Sequence, residues 1–149
     1  MKSFAILAAA LLGSVASAAP VEPRVVAQEF DVSDFSAGCI PHSSQCSISF
    51  KVASNQTPFP TTCSFFGQGL GVGSLPDVGF TACADASVVW SFRAVHIGDG
   101  QAPFYELALA TAEQSLAASK FFPASDFPYI DDKSSVHQSY SGPNLFVVS

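Results

Sequence analysis

Residues 46–52 alternate without a fault: Cys46, Ile48, Phe50 and Val52 fall on one face, Ser47, Ser49 and Lys51 on the other. Period two is the mark of a half-buried β-strand, because successive side chains of a strand point to opposite faces. Val88, Trp90, Phe92 and Ala94 repeat the pattern with Ser91 and Arg93 outward, and Tyr105, Leu107 and Leu109 make a third stripe. Asn144-Leu-Phe-Val-Val148 follows the Gly142-Pro143 breaker and reads as a buried strand. Weaker strand candidates lie at 30–35, 62–66, 80–82, 121–122 and 136–140.

Turn chemistry separates these stretches at Pro41 to Ser44, Asn55 to Pro60, Gly67 to Pro76, Gly98 to Gly100 and Asp131 to Lys133. Only Ala110 to Ser119, rich in Ala, Glu, Gln and Leu, favours a helix. No fixed-period repeat is visible, which argues against solenoids and propellers. The expected fold is all-β: a compact antiparallel β-barrel or β-sandwich of short strands.

The N-terminus changes the setting in which this domain is read. Lys2 precedes an apolar, Ala-rich run from Phe4 to Leu12, and Ala16-Ser17-Ala18 offers small residues for cleavage before Ala19-Pro20. That is the pattern of a secretory signal peptide, and the run is too short for a membrane span of about 20 residues. The expected organisation is a signal peptide at 1–18, a flexible leader at 19–29 containing Pro20 and Pro23, and a single β domain at 30–149. The chain carries 12 acids against 6 Lys and Arg, a formal charge of −6, and no basic cluster. Phosphate neutralisation needs such a cluster, so nucleic acid is not an expected partner, and neither is an anionic membrane. The 14 Phe residues supply an ample core.

Cys39, Cys46, Cys63 and Cys83 suit an oxidising compartment, and four thiols allow three connectivities. The favoured one pairs Cys39 with Cys46 and Cys63 with Cys83. Loop closure assigns roughly 2.5 kcal/mol to the shorter bridge and about 3.3 kcal/mol to the longer. The spacings do not match a zinc site, although His42 sits between the first two cysteines, and no metal or cofactor is expected.

Motifs for catalysis are missing from the chain's text. Gly67-Gln-Gly-Leu-Gly-Val-Gly73 completes neither G-x-G-x-x-G nor a GK[ST] phosphate loop, and Gly73-Ser-Leu75 is not a nucleophile elbow. His42, His96 and His137 could serve a triad only by a geometry that sequence does not give, and each also reads as an ordinary loop or outward strand residue. Glu106, Asp85, Asp126, Asp131 and Asp132 offer carboxylates without singling out a pair for glycoside cleavage. Asn55-Gln-Thr57 is a glycosylation sequon in a turn-rich loop.

Asp34-Phe-Ser36, Cys39-Ile-Pro-His-Ser-Ser-Gln-Cys-Ser-Ile-Ser-Phe50, Thr61-Thr-Cys-Ser64, Cys83 and Gln138-Ser-Tyr-Ser-Gly-Pro-Asn-Leu-Phe-Val147 together resemble the fungal secreted Alternaria major-allergen-like family. The resemblance spans most of residues 30–148. It implies a secreted all-β protein of an ascomycete fungus, acting as an allergen, an elicitor of plant defence or an effector by binding rather than by known catalysis. It also implies a bridge between Cys63 and Cys83 and, with it, one between Cys39 and Cys46. The founding allergen joins two chains through a further cysteine near its mature N-terminus. Here the first cysteine is Cys39, so a monomer or a non-covalent dimer is expected.

The leading expectation is therefore a non-enzymatic secreted binder of a host extracellular protein or a small aromatic ligand. Phe59, Phe65, Phe66, Phe127 and Tyr129, in or near loops, are its candidate contact aromatics. The alternatives are a small secreted hydrolase with an unmarked active site and a structural protein of the fungal wall.

Overall fold

The three alternating stripes become the central strands of two sheets. The structure, a computed structural model, describes residues 29–54, 59–96, 98, 103–113, 117–133 and 135–149. The expected signal peptide, the leader up to residue 28 and Asn55 lie outside the described residues. The strands are β1 Phe30–Cys39, β2 Gln45–Ser54, β3 Thr61–Gln68, β4 Val78–Ala82, β5 Val88–Val95, β6 Phe104–Thr111, β7 Ala117–Phe122, β8 Tyr129–Asp131, β9 Val136–Gln138 and β10 Phe146–Val148. One sheet runs β10-β1-β2-β3, a second β4-β5-β6-β7, and β8-β9 form a separate hairpin. All pairings are antiparallel.

Neither four-stranded sheet closes on itself, so the architecture is nearer a sandwich than a barrel. A single core joins them: Ile48, Phe50 and Val52 of the first sheet lie in one buried cluster with Trp90, Phe92, Leu107 and Leu109 of the second. Phe50 meets Trp90 edge-on at 5.1 Å between ring centres. Phe35 stacks on Phe122 at 5.7 Å and takes the edges of Tyr140 and Phe146 at 4.8 and 5.4 Å. Such offset and edge-on pairs suit the ring quadrupoles and add to the stabilisation from burial.

Strand β1 shows why its alternation was faint in the sequence. Phe30 and Val32 are buried, but so are Phe35, Ala37 and Cys39, which have the opposite parity. Asp34, at φ 54°, sits in a register shift between Ser33 and Ser36. One extra residue there resets the pleat, so Phe35 enters the core while Asp34 stays in water.

Two disulfides complete the frame. Cys39 bonds Cys46 across directly paired positions of the β1–β2 hairpin. Cys63 on β3 bonds Cys83, the residue after β4, and so ties the first sheet to the second. Beside it the Ala84 N–H donates to the Thr62 carbonyl at 2.8 Å, and the Asp85 N–H to the Thr61 hydroxyl at 2.8 Å.

Some sequence expectations need correction. The described residues of the segment 110–119, expected to be a helix, are strand and turn: Ala110 and Thr111 end β6, and Ala117, Ala118 and Ser119 begin β7, paired back onto Ala110, Leu109 and Ala108. Asn144 and Leu145 stand outside β10, which is not a fully buried run: Val148 is buried while Val147 is 47% exposed. In β9 the apolar residue is not the buried one: Val136 is exposed, while Gln138, on the same face, is buried. Among the described residues, the only helical turn is Ala124–Asp126, and no helix is long and apolar enough to cross a membrane.

Candidate ligand pocket

At one end of the second sheet, Pro103 just before β6, the helical turn and the β8–β9 hairpin line a cavity of about 460 Å³. Its walls are Tyr105, Phe127, Tyr129, Pro103 and Pro128, with His96 and Gln138 also lining it. Tyr105 continues the inward stripe of β6 and is itself buried. Its ring lies 4.3 Å from that of Phe127, and Phe92 stacks on it at 5.7 Å.

Gln138 is the polar centre of this region, at 3% exposure. Its side-chain amide donates to the Tyr105 hydroxyl at 2.6 Å and to the Phe127 carbonyl at 3.3 Å. Its Oε1 accepts the Leu75 N–H at 2.9 Å, and its own backbone N–H donates to the Gly73 carbonyl at 2.7 Å. A buried amide must spend its donors and acceptors inside the protein, and this one does so by binding the β3–β4 loop to β6 and β9. Gly73, at φ 75°, permits that approach: a Cβ there would stand 2.1 Å from the Val136 carbonyl oxygen. Burial raises the Tyr105 phenol above its ordinary pKa, and the hydrogen bond from Gln138 only partly offsets it. The phenol is therefore a neutral donor throughout the physiological range.

Of the five candidate aromatics, the pocket brings together Phe127 and Tyr129. Phe127, at 1% exposure, is a core residue whose ring forms a wall, not an exposed anchor. Tyr129 is 56% exposed at the rim, its hydroxyl 3.0 Å from that of Ser74. Phe65 is half-buried against the core, while Phe59 and Phe66 are open to solvent on the first sheet's side, at 86% and 67%. Tyr105 and Gln138 were not singled out by sequence. Tyr105 read as core packing, and nothing marks Gln138 among the other polar residues near the C-terminus.

The candidate catalytic groups disperse. His96 is at the pocket rim; His42 lies in the β1–β2 turn, where its backbone N–H donates to the Ser135 hydroxyl at 3.2 Å; His137 is in β9 with Nδ1 buried and unpartnered among the described residues. Glu106 is bound to Arg93 at 2.6 Å. Asp85, Asp131 and Asp132 accept N–H bonds from Ser87, Lys133 and Ser135 within their own turns. The Ser87 bonds hold the Asp85 carboxyl below its usual pKa. Asp126 sits in the helical turn near Tyr140. Among the described residues, no cluster of three His, Cys, Asp or Glu side chains could hold a metal ion.

A larger, more open groove of about 690 Å³ runs along β1 past Ser36, Gly38, Pro41 and Pro143, and no charged side chain lines it. The smaller pocket has the chemistry of a ligand site: aromatic walls with a few convergent polar groups. Compared with known proteins, the chain matches no family model, no curated protein and no solved structure.

Proposed function

We propose that this chain is a secreted fungal effector- or allergen-like binding protein, and that the pocket beside Tyr105 takes a small, flat, uncharged aromatic ligand. The observation that carries the reading is the pocket itself: the rings of Phe127 and Tyr129 and two prolines around a buried Tyr105–Gln138 pair. Because Tyr105 accepts from Gln138, its own proton is left to donate to a ligand oxygen. Neither Lys nor a carboxylate lines the cavity, so a charged ligand would have to shed its hydration without a counter-ion. The two disulfides suit an oxidising, extracellular setting. There, capture of a plant phenolic would let the protein modulate host immunity.

Calorimetric titration of the oxidised protein with 2-naphthol tests this. Tyr129→Ala removes a rim ring without opening the core, and it should weaken binding roughly three- to tenfold. No binding by the folded wild-type protein would overturn the ligand reading. A second reading, a host extracellular protein as partner, draws on the exposed apolar side chains Phe66, Leu70 and Val72, at 67%, 64% and 83%. Pull-down from plant extracellular fluid, with a reduced and alkylated control, would recover that partner with the oxidised form only.

A further inference from the structure

The two sheets leave an open seam where β7, the free edge of the second, passes β10, the free edge of the first. Lys120 stands in this seam. It pairs with Leu107 across β6–β7, which turns its side chain toward the core face rather than outward. Its Nζ is 5.5 Å from the centre of the Phe122 ring and 5.4 Å from that of Phe146. The ion pairs among the described residues are Lys51 with Asp34 and Arg93 with Glu106, so among them no carboxylate lies within pairing distance of Lys120. In a chain with twice as many acids as bases, a half-buried cation held by rings alone is unusual.

An inward lysine on an edge strand guards against pairing with another chain. That role needs only a charge. It does not account for the crevice of about 240 Å³ beside the ammonium, walled by Phe122, Pro123, Pro143, Leu145 and Phe146. The crevice has roughly eight times the volume of a water in the liquid. Asp126 and Tyr140 also line it. The Tyr140 hydroxyl is spent on the Pro143 carbonyl at 2.8 Å, and its pKa is pushed up to about 12, first by burial and then by the Asp126 charge. Asp126 makes no ion pair with Lys120, so the ammonium keeps donors free on the crevice side among the described residues. Leu145, 69% exposed at the mouth, extends the apolar wall outward.

We infer that this crevice binds an apolar monocarboxylate, its acid group on Lys120 and its body along the Phe122, Phe146 and Leu145 walls. An ammonium already desolvated on one side by two rings is pre-organised for an anion, and the pairing is a charge-assisted hydrogen bond. The site is separate from the Tyr105 pocket and does not depend on the function proposed for it.

Titration of the full oxidised protein with octanoate and with cinnamate, against octanol and cinnamyl alcohol, tests the inference. At least one acid should bind, and its alcohol should bind roughly ten- to a hundredfold more weakly. The acid that wins tells whether the body is flexible or flat. Lys120→Gln should lose the same factor and Lys120→Arg should keep most of the affinity. Leu145→Asp, a surface change that leaves the core intact, should repel the acid. Tyr129→Ala should leave binding unchanged. Failure of both acids to bind, equal binding of acid and alcohol, or undiminished binding by Lys120→Gln would overturn the site and leave Lys120 as a guard of the edge.

Discussion

The two sheets share a core but differ in what holds them and in what they show to water. The first is internally tight: β1 and β2 pair along nearly their whole length, and Cys39–Cys46 closes their hairpin. Its outer face is a field of hydroxyls, with Ser36, Ser49 and Ser64 in one row across β1, β2 and β3. The second sheet begins with a weakly attached edge, β4, which meets β5 through Val78, Thr81 and Ala82 around a register shift. Its outer face carries the row Arg93, Glu106 and Phe121 beside the smaller row Ser91, Ala108 and Ser119. That arrangement makes a hollow of about 430 Å³ with an ion pair in its wall. Strength in the first sheet is local; in the second it is borrowed from its neighbours.

The largest effect should come from breaking the loan. Cys63→Ala with Cys83→Ala removes the covalent link between the sheets and frees a longer loop in the unfolded chain, a loss of about 3 kcal/mol. Cys39→Ala with Cys46→Ala should cost about 2.5 kcal/mol, since the loop is shorter. Urea denaturation measures both totals, but hydrogen exchange is the sharper readout. The first double variant should lose protection chiefly in β4, because few other bonds hold that edge. The second should leave the β1–β2 ladder protected, because its register is set by backbone bonds that survive. Equal, uniform loss in both would break the contrast.

A single outward ion pair sharpens the same contrast on the second sheet. Arg93 Nε and Nη2 both reach Glu106 Oε2 at 2.6 Å, with the glutamate side chain 10% exposed and the arginine 64%. Arg93→Ala would leave a buried carboxylate without its cation and should cost about 1–3 kcal/mol. Replacing both partners, Arg93→Met with Glu106→Leu, should restore most of that loss, because a buried pair is often matched by apolar groups of similar volume. A double variant as unstable as the single one would show that the pair is not what the arginine supplies.

These contrasts also mark how far the fold was legible from the chain. Strands β2, β5 and β6 were plain because each buries one face and wets the other, so period two survives intact. The fault in β1 hid its second half: Asp34 adds a residue, and the parity of Phe35, Ala37 and Cys39 no longer agrees with that of Phe30 and Val32. The start of β7 was hidden for another reason. Ala, Glu and Leu favour a helix by only tenths of a kcal/mol per residue, and pairing of Ala117 to Phe122 with Tyr105 to Ala110 outweighs it. Strand β8 carries no buried residue at all, so no pattern could announce it. The pocket was legible only in fragments. Tyr129 was visible as a loop aromatic, but Gln138 acquires its meaning from Leu75, Tyr105 and Phe127, 63, 33 and 11 residues away. Sequence spacing carries no trace of such meetings.

The smallest effect belongs to the other ion pair, on the first sheet. Lys51 Nζ lies 2.9 Å from Asp34 Oδ2, a distance as good as any, yet the two side chains are 52% and 63% exposed. Water and salt screen such a pair, and two long side chains lose freedom to hold it. Asp34 holds the Lys51 ammonium above its usual pKa of 10.5, mainly by hydrogen bond and then by charge. A raised lysine pKa means that any contribution is present below that value and is lost as the pH climbs through the folded one. Lys51→Ala should therefore leave the urea midpoint unchanged at neutral pH, at low salt and at high. A clear destabilisation at neutral pH that disappears as the pH climbs through the raised lysine pKa would mean the exposed pair does the work of the buried one. Geometry alone, not burial, would then set what an ion pair contributes on either face of this protein.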